Sequence, residues 1–297
     1  MSIKIERVAI LGRHDDPRVA EPMTVLVEHL TKLGIGVLCD ERMRLDLPVK
    51  RVSSAALSTD SDLMIAIGGD GTMLYAGNLA RTSGVPLLGI NRGRLGFLAD
   101  VSPDEMLASV DHILAGEYSC ESRLLLRARL TRAGKPAASE TAFNDIVLQR
   151  RETGRMVDVV ATIDDTYVNT HSGDGLIVAT ATGSTAYALS CGGPIIDPRL
   201  DAVVIVPICP HTLTDRPIVV PSSKSIGIRV LQREDTQAEV VIDGRTLGAI
   251  GADDALTISA AEQRIQLIHP PGYDYFGILR SKLFWGRDSR VREEPGR

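Results

Sequence analysis

Five residues, Gly68-Gly69-Asp70-Gly71-Thr72, set one carboxylate among three glycines. The run before them, Leu63-Met64-Ile65-Ala66-Ile67, is wholly apolar and predicts a buried parallel strand. Residues 73–80 predict a helix with Thr72 near its N-cap. Strand, glycine turn and helix start make the local geometry of a phosphate site. Glycines let backbone amides approach an anion, and the helix start adds positive potential. An acid facing phosphates is unfavourable unless it holds a metal or takes a proton, so Asp70 points to phosphoryl transfer onto a hydroxyl. By itself the motif is equally a tight turn with a solvated acid. It is neither a dinucleotide fingerprint nor a P-loop, so other motifs must decide.

A second glycine-rich stretch, Gly89-Ile90-Asn91-Arg92-Gly93-Arg94-Leu95-Gly96-Phe97-Leu98, again follows a strand pattern. It suits an anion-facing loop or a structural turn. Asn144-Asp145 offers a donor and acceptors suited to ribose hydroxyls, and equally reads as an ordinary turn. The densest stretch is residues 173–194, GDGLIVATATGSTAYALSCGGP. There a strand leads through small hydroxyl residues into a short helix over 184–190. Small side chains admit a planar ligand, hydroxyls and helix-start amides can bind it, and Tyr187 can stack or donate. His211, beside a turn, reads as structural. Ile242-Asp243-Gly244-Arg245 reads as a hairpin tip whose Asp or Arg could also face a ligand.

These motifs need a scaffold. The first third alternates strand and helix patterns: a strand at 7–12, an amphipathic helix at 19–33, a strand at 35–39, a short helix at 49–57, then the strand into Gly68, a helix and the strand 86–90. Repeated β-α-β implies a parallel sheet with ligands beyond its C-terminal strand ends. Ser102-Pro103-Asp104-Glu105 predicts a capping box opening a helix over 102–115. After residue 117 the texture becomes short strands: 123–131, 146–150, 156–163, 175–180, 203–208, 218–220, 226–231, 238–242 and 265–268. The fold class is therefore an α/β N-terminal domain with a Rossmann-like parallel sheet, plus a mostly-β C-terminal domain. The expected divisions are 1–116, 117–268 and a tail, 269–297, whose apolar residues Tyr275, Phe276, Leu279, Leu283, Phe284 and Trp285 pack back on the N-terminal domain.

Composition narrows the partners. The 297 residues are 44% hydrophobic and 24% charged, with a net charge of −5. That is an ordinary globular balance, and without a long basic run nucleic acid is not expected. Arg92, Arg94, Arg150, Arg151 and Arg155 are local charges that suit a small anion or a solvated surface. The four cysteines, Cys39, Cys120, Cys191 and Cys209, are widely spaced, which argues against a zinc site or disulfide scaffold. Cys39 and Cys209 lie in apolar runs and read as buried thiols. No apolar run reaches membrane-spanning length, and the first residues do not read as a signal peptide. A reducing cytoplasm is the expected location, with no membrane partner.

Together the motifs resemble those of the NAD kinase family in its bacterial form, over almost the whole chain. GGDGT is shared with lipid kinases and phosphofructokinases; its combination with Asn144-Asp145 and residues 173–194 is more specific. The resemblance implies an α/β domain plus a β-sandwich-like domain, the second serving NAD binding and oligomerisation. It implies transfer of the ATP γ-phosphoryl group to the adenosine 2′-hydroxyl of NAD, giving NADP. Asp70 would be the general base, and Gly68, Gly69, Gly71 and Thr72 the phosphate loop. Asp70, Gly71, Asn144, Asp145, Ser172 and Asp174 would contact NAD, and Thr185, Ala186, Tyr187, Ala188, Leu189 and Ser190 would line its adenine and ribose. Arg155 and Arg245 stand at positions that contact ligand in relatives. Mg²⁺ would arrive with ATP, held largely by nucleotide oxygens and water, with no protein metal site. Family similarity implies a homodimer or homotetramer. The competing readings are a lipid kinase of the same superfamily and a non-catalytic NAD(P)-binding regulator.

Overall fold

The computed structural model of the chain describes residues 4–13, 16–45, 48–93, 96–151, 156–231 and 237–285. The chain divides into two compact units, one of Met1–Glu121 with Ile265–Arg297 and the other of Ser122–Arg264.

In the first unit, apolar runs make five parallel strands: β1 (Arg7–Gly12), β2 (Gly36–Asp40), β3 (Lys50–Val52), β4 (Leu63–Ile67) and β5 (Leu87–Ile90). Their order in the sheet is β5-β4-β1-β2-β3. β4 is buried along its whole length, the pattern of a parallel strand covered on both faces. Crossovers are made by α1 (Pro17–Lys32), α2 (Ser54–Thr59) and α3 (Asp70–Ala80), and α4 (Met106–Leu114) follows β5. The stripe Val19, Met23, Leu26, Val27 and Leu30 of α1 joins Met106, Val110 and Ile113 of α4 in one core with Val8, Ile10, Ile65 and Ile67.

Two local expectations need correction here. Residues 49–57 are not one helix: Lys50–Val52 pair with β2, and the helix begins at Ser54, with Ser53 as its cap. A three-residue edge strand is too short to show a period. Before α4, Pro103–Glu105 form a 3-10 turn, and Ser102 Oγ donates to Glu105 Oε2 at 2.8 Å instead of capping a backbone amide.

The second unit is antiparallel. Its strands are β6 (Ser119–Arg132), β7 (Lys135–Ala142), β8 (Asp145–Arg150), β9 (Val157–Ile163), β10 (Thr166–Gly173), β11 (Gly175–Thr180), β12 (Ala202–Ile208), β13 (Ile218–Pro221), β14 (Ile226–Val230), β15 (Ala238–Ile242), β16 (Arg245–Ile250) and β17 (Asp254–His269), with one short helix, α5 (Tyr187–Ser190). The unit boundaries fall inside β6 and β17. One sheet runs β13-β12-β11-β8-β15-β16; β10-β9-β14-β17 form the second, and β6 pairs with β7. Ile146, Leu148, Leu176, Val178 and Val240 of the first share a core with Val157, Val159, Ile226, Ile228, Leu256 and Ile258 of the second, a sandwich. On the other face of the first sheet, Val147, Ile177, Ala179, Val204 and Val206 are buried with Ala181, Ala188 and Ile196. Burial on both faces is why these strands read as unbroken apolar runs.

Strands β7, β10 and β16 lie outside the expected set, their residues being largely polar or exposed, and so does the first half of β17, although Leu256 and Ile258 alternate there with Thr257 and Ser259. Cys209 is exposed, not buried: β12 ends at Ile208, and the thiol residue turns to a φ of +45°. In the tail, α6 (Tyr275–Leu283) buries Ile278 and Leu279, while Phe276, Phe284 and Trp285 remain exposed. His269, at the end of β17, is buried against Asp100 at 2.7 Å and stacks on Tyr273 at 3.7 Å between ring centroids. Among the described residues, no helix is long and apolar enough to cross a membrane.

Candidate active site

The glycine turn forms at the C-terminal end of β4. Helix α3 begins at Asp70 with Gly69 as its N-cap, three residues earlier than the expected cap near Thr72. Asp70 therefore occupies the first helical position, where the helix dipole favours a negative charge. Its carboxylate accepts backbone hydrogens from Leu98 N at 3.0 Å and Phe97 N at 3.2 Å. The second glycine stretch thus wraps the acid. Asn91 Nδ2 donates to the Val101 carbonyl at 2.9 Å, and Gly93 N donates to Asn91 Oδ1 at 2.8 Å, which fixes the loop's first half. At Gly96 a Cβ would fall on Asp70 Oδ1, so only glycine lets the loop close on this carboxylate. Each carboxylate oxygen keeps lone pairs beyond these bonds.

Beside the turn lies a cavity of about 490 Å³ at the C-terminal ends of β1, β2 and β4, where ligands bind in open α/β sheets. Gly69, Gly71 and Thr72 form one wall; Arg13, Asp40, Arg42, Tyr75 and Arg92 stand around the rest. Arg42 donates to Asp40 through Nε (2.9 Å) and Nη2 (3.0 Å), and Nη2 reaches the Tyr75 hydroxyl at 3.2 Å. Arg92 pairs with Asp16 at 2.7 Å. Asp40 and Arg42 lie outside every sequence motif, and Tyr75 reads there only as part of the helix after the glycine turn. The signal that could have found them is an acid closing the second parallel strand, Cys39-Asp40, followed by Arg42.

In the second unit, Asn144-Asp145 opens β8 and is tied on two sides. Thr180 N donates to the Asn144 carbonyl at 2.9 Å, and Thr180 Oγ1 donates to the Phe143 carbonyl at 2.7 Å. Gly183 lies so close that a Cβ there would strike the Asn144 carbonyl. From the other side, the Asp243 carboxylate accepts three consecutive amides, Phe143 N (2.7 Å), Asn144 N (2.8 Å) and Asp145 N (3.1 Å). Burial, then the nearby Asp243 charge, pushes the Asp145 carboxyl up to about 7. Asp243 is also raised by burial, but its three amide donors and Arg245 oppose that. Among the described residues no such donor opposes the rise at Asp145.

The hydroxyl-rich stretch is not one helix. Thr182–Thr185 form a 3-10 turn, Ala186 breaks it at φ −95° and ψ −128°, and Tyr187–Ser190 form a single α-turn. Ser184 is buried and works internally: Oγ donates to the Ala181 carbonyl at 2.6 Å and accepts from Ile196 N at 3.0 Å. Thr185 Oγ1 donates to the Thr182 carbonyl at 3.2 Å. Ala188 is buried, Ala186 and Leu189 are half-buried, and Tyr187 and Ser190 are exposed. Burial, with Cys191, Cys209 and Asp174 nearby, pushes the Tyr187 phenol up, so Tyr187 and Asp174 share a neighbourhood. Asp174 is paired with Arg150 at 2.9 Å, and Ser172 Oγ donates to Asp158 at 2.5 Å. Below Ser172, His171 Nδ1 is 2.7 Å from Asp215, a buried pair that motif reading missed. The His211 ring is exposed, and its backbone N donates to the Ser172 carbonyl at 2.9 Å. Arg245 is exposed at the start of β16. Arg155 and Arg94 lie outside the described residues.

Comparison with known proteins agrees across the chain. Residues 8–118 match the family model of the ATP-NAD kinase N-terminal domain, and residues 143–270 match that of the ATP-NAD kinase C-terminal domain. The chain is 41% identical over 292 residues to the NAD kinase of Thiobacillus denitrificans, covering 97% of this chain and 99% of that protein. It is 39% identical over 294 residues to the NAD kinase of Aromatoleum aromaticum, covering 98% and 97%. Among solved structures it is similar to an NAD kinase from Archaeoglobus fulgidus in complex with ATP, with TM-score 0.71, 27% identity and coverage of 93% and 99%. It shares the fold of yeast NADH kinase complexed with NADH, with TM-score 0.87, 22% identity and coverage of 98% and 90%.

Proposed function

The chain belongs to the ATP-NAD kinase family and is an enzyme that phosphorylates NAD, and on that premise we propose that Asp70 is the general base of the transfer. The observation that carries this reading is the Asp70 carboxylate fixed by two backbone amides at the start of α3, beside the glycine turn. The adenosine 2′-hydroxyl of NAD attacks the γ-phosphorus of ATP, the bond to the β-γ bridging oxygen breaks, and ADP leaves. The hydroxyl proton passes to Asp70, and NADP is formed. In a loose phosphoryl-transfer transition state this proton leaves late, so a positioned carboxylate suffices.

Gly68, Gly69, Gly71 and Thr72 form the phosphate loop, and ATP enters the adjoining cavity, where Arg13, Arg42 and Arg92 offset its charge. Asn144, Asp145, Ser172 and Asp174 bind NAD, with Thr185, Ala186, Tyr187, Ala188, Leu189 and Ser190 against its adenosine. Arg245 and Arg155 add contacts. The first unit is thus the phosphate and donor unit, and the β-rich unit serves NAD binding and assembly into a homodimer or homotetramer. Among the described residues, no group of three or more His, Cys, Asp or Glu side chains is arranged for a metal ion. Mg²⁺ enters as part of the ATP substrate and neutralises its phosphates. A cytoplasmic setting supplies both nucleotides.

The purified chain should form NADP from NAD, ATP and Mg²⁺, read with an NADP-specific dehydrogenase. Asp70→Asn should slow that reaction at unchanged folding. A fully active Asp70→Asn variant would move the base role elsewhere, and no NADP from the wild type would sink the reading.

A further inference from the structure

We propose that Asp243 is a positioning residue for the NAD acceptor: from the tip of the β15–β16 hairpin, its carboxylate holds the Asn144-Asp145 backbone in its binding geometry. The proposal rests on the reading of Asn144-Asp145 as an NAD contact.

Asp243 lies about a hundred residues from the pair in sequence, yet it meets three successive amides at 2.7, 2.8 and 3.1 Å. Successive amides converging on one anion form a nest, and hydrogen bonds to a charged acceptor are the stronger kind. The hairpin is built to deliver this group. β15 pairs with β8 up to Ile242↔Ile146, and Asp243 N then donates to the Asp145 carbonyl at 3.1 Å. Asp243 and Gly244 take φ of +45° and +77°, the left-handed pair of a tight hairpin turn, which Asp tolerates better than most residues. Amides 143–145 are thus held by Asp243, and carbonyls 143 and 144 by Thr180. The backbone of the pair is fully engaged, with Asn144 half-buried and Asp145 buried. Among the described residues no hydrogen-bond donor acts on the Asp145 carboxylate.

The same placement has an electrostatic consequence. The charged groups acting on the pair are the two carboxylates themselves and Arg245. The amide donors and Arg245 oppose the rise at Asp243, whereas Asp145, pushed up to about 7, has no such donor among the described residues. A carboxylate that accepts ribose hydroxyls binds better ionised, so kcat/KM for NAD should rise with pH through about 7.

The test uses Asp243→Asn in the full chain, which keeps the size and removes one acceptor oxygen and the charge. KM for NAD should rise about tenfold or more, the loss expected for one charge-assisted hydrogen bond, while KM for ATP stays within about twofold. The pH step in kcat/KM for NAD should move to lower pH, a change that loosened packing alone would not produce. An unchanged pH step with unchanged KM for NAD would overturn the proposal, as would equal losses for both substrates. If Asp243→Asn does not fold, Asp145→Asn decides: it should abolish the step near pH 7, and a surviving step would overturn the proposal. Asn144→Ala separates the two levels of inference. If it leaves KM for NAD unchanged, the acceptor reading fails; if it raises KM and Asp243→Asn does not, only the positioning role fails.

Discussion

Asp70 and Asp145 are held in opposite ways. Asp70 is anchored by its own side chain, whose oxygens accept the Phe97 and Leu98 amides at the start of α3. Asp145 is anchored by its backbone, through another residue's carboxylate, while its own side chain accepts no hydrogen bond from the described residues and faces the neighbouring charge of Asp243. In the first unit the anchor and the proposed chemistry sit on one carboxylate, so no substitution of Asp70 itself separates them. In the second they are two residues, so mutation can take them apart.

The largest effect should come where they coincide. Asp70→Asn is expected to lower kcat by roughly 10²–10⁴-fold with KM for NAD nearly kept, measured by steady-state NADP formation. Retained kcat would break the comparison by removing Asp70's chemical half. Gly96→Ala keeps the acid and disturbs only its anchor: the added methyl falls on Asp70 Oδ1. It should cost on the order of 10²-fold in kcat, the size of a misplacement of about 1 Å, and about 1–3 kcal/mol in urea unfolding. Arg42→Ala removes a cation from the cavity wall and should raise KM for ATP about tenfold, the size of one lost charge-assisted bond, without altering KM for NAD. Equal changes in both would deny the cavity to the donor. Tyr187→Ala should raise KM for NAD a few-fold, on the order of 1 kcal/mol for a lost aromatic contact; a change in Tm alone would make Tyr187 a packing residue.

The smallest signal is a pH slope in stability. Asp145 titrates higher in the fold than the ordinary carboxylate value of 3.8. The folded state therefore binds more protons than the unfolded state between about 4 and about 7, and stability falls as pH rises through that window. The slope is at most about 1.4 kcal/mol per pH unit, the limit for one proton. Asp145→Asn should flatten it in urea titrations at several pH values.

Much of this was legible in the chain itself. Leu63 to Ile67 announced β4, and the glycines with Asp70 announced the turn, because period and turn chemistry are local properties. What sequence hid was nonlocal or too short. The Asp243 nest joins segments a hundred residues apart, and nothing in Ile242-Asp243-Gly244-Arg245 names its target. Arg42 and Tyr75 meet only because β2 ends and α3 begins on the same side of the sheet. Cys209 looked buried since it continues an apolar run, but the strand stops one residue earlier. The hydroxyl run 180–190 looked like a row of ligand donors, whereas Thr180 and Ser184 are consumed in holding the turn.

The two amides at Asp70 belong to the protein alone. The acid is therefore aimed by folding and not by the arrival of either nucleotide. Substrates meet a finished arrangement, with little rearrangement left for the moment of transfer. If Asp70 is the base we propose, whatever shifts residues 96–98 by a fraction of an ångström should throttle the reaction from a distance.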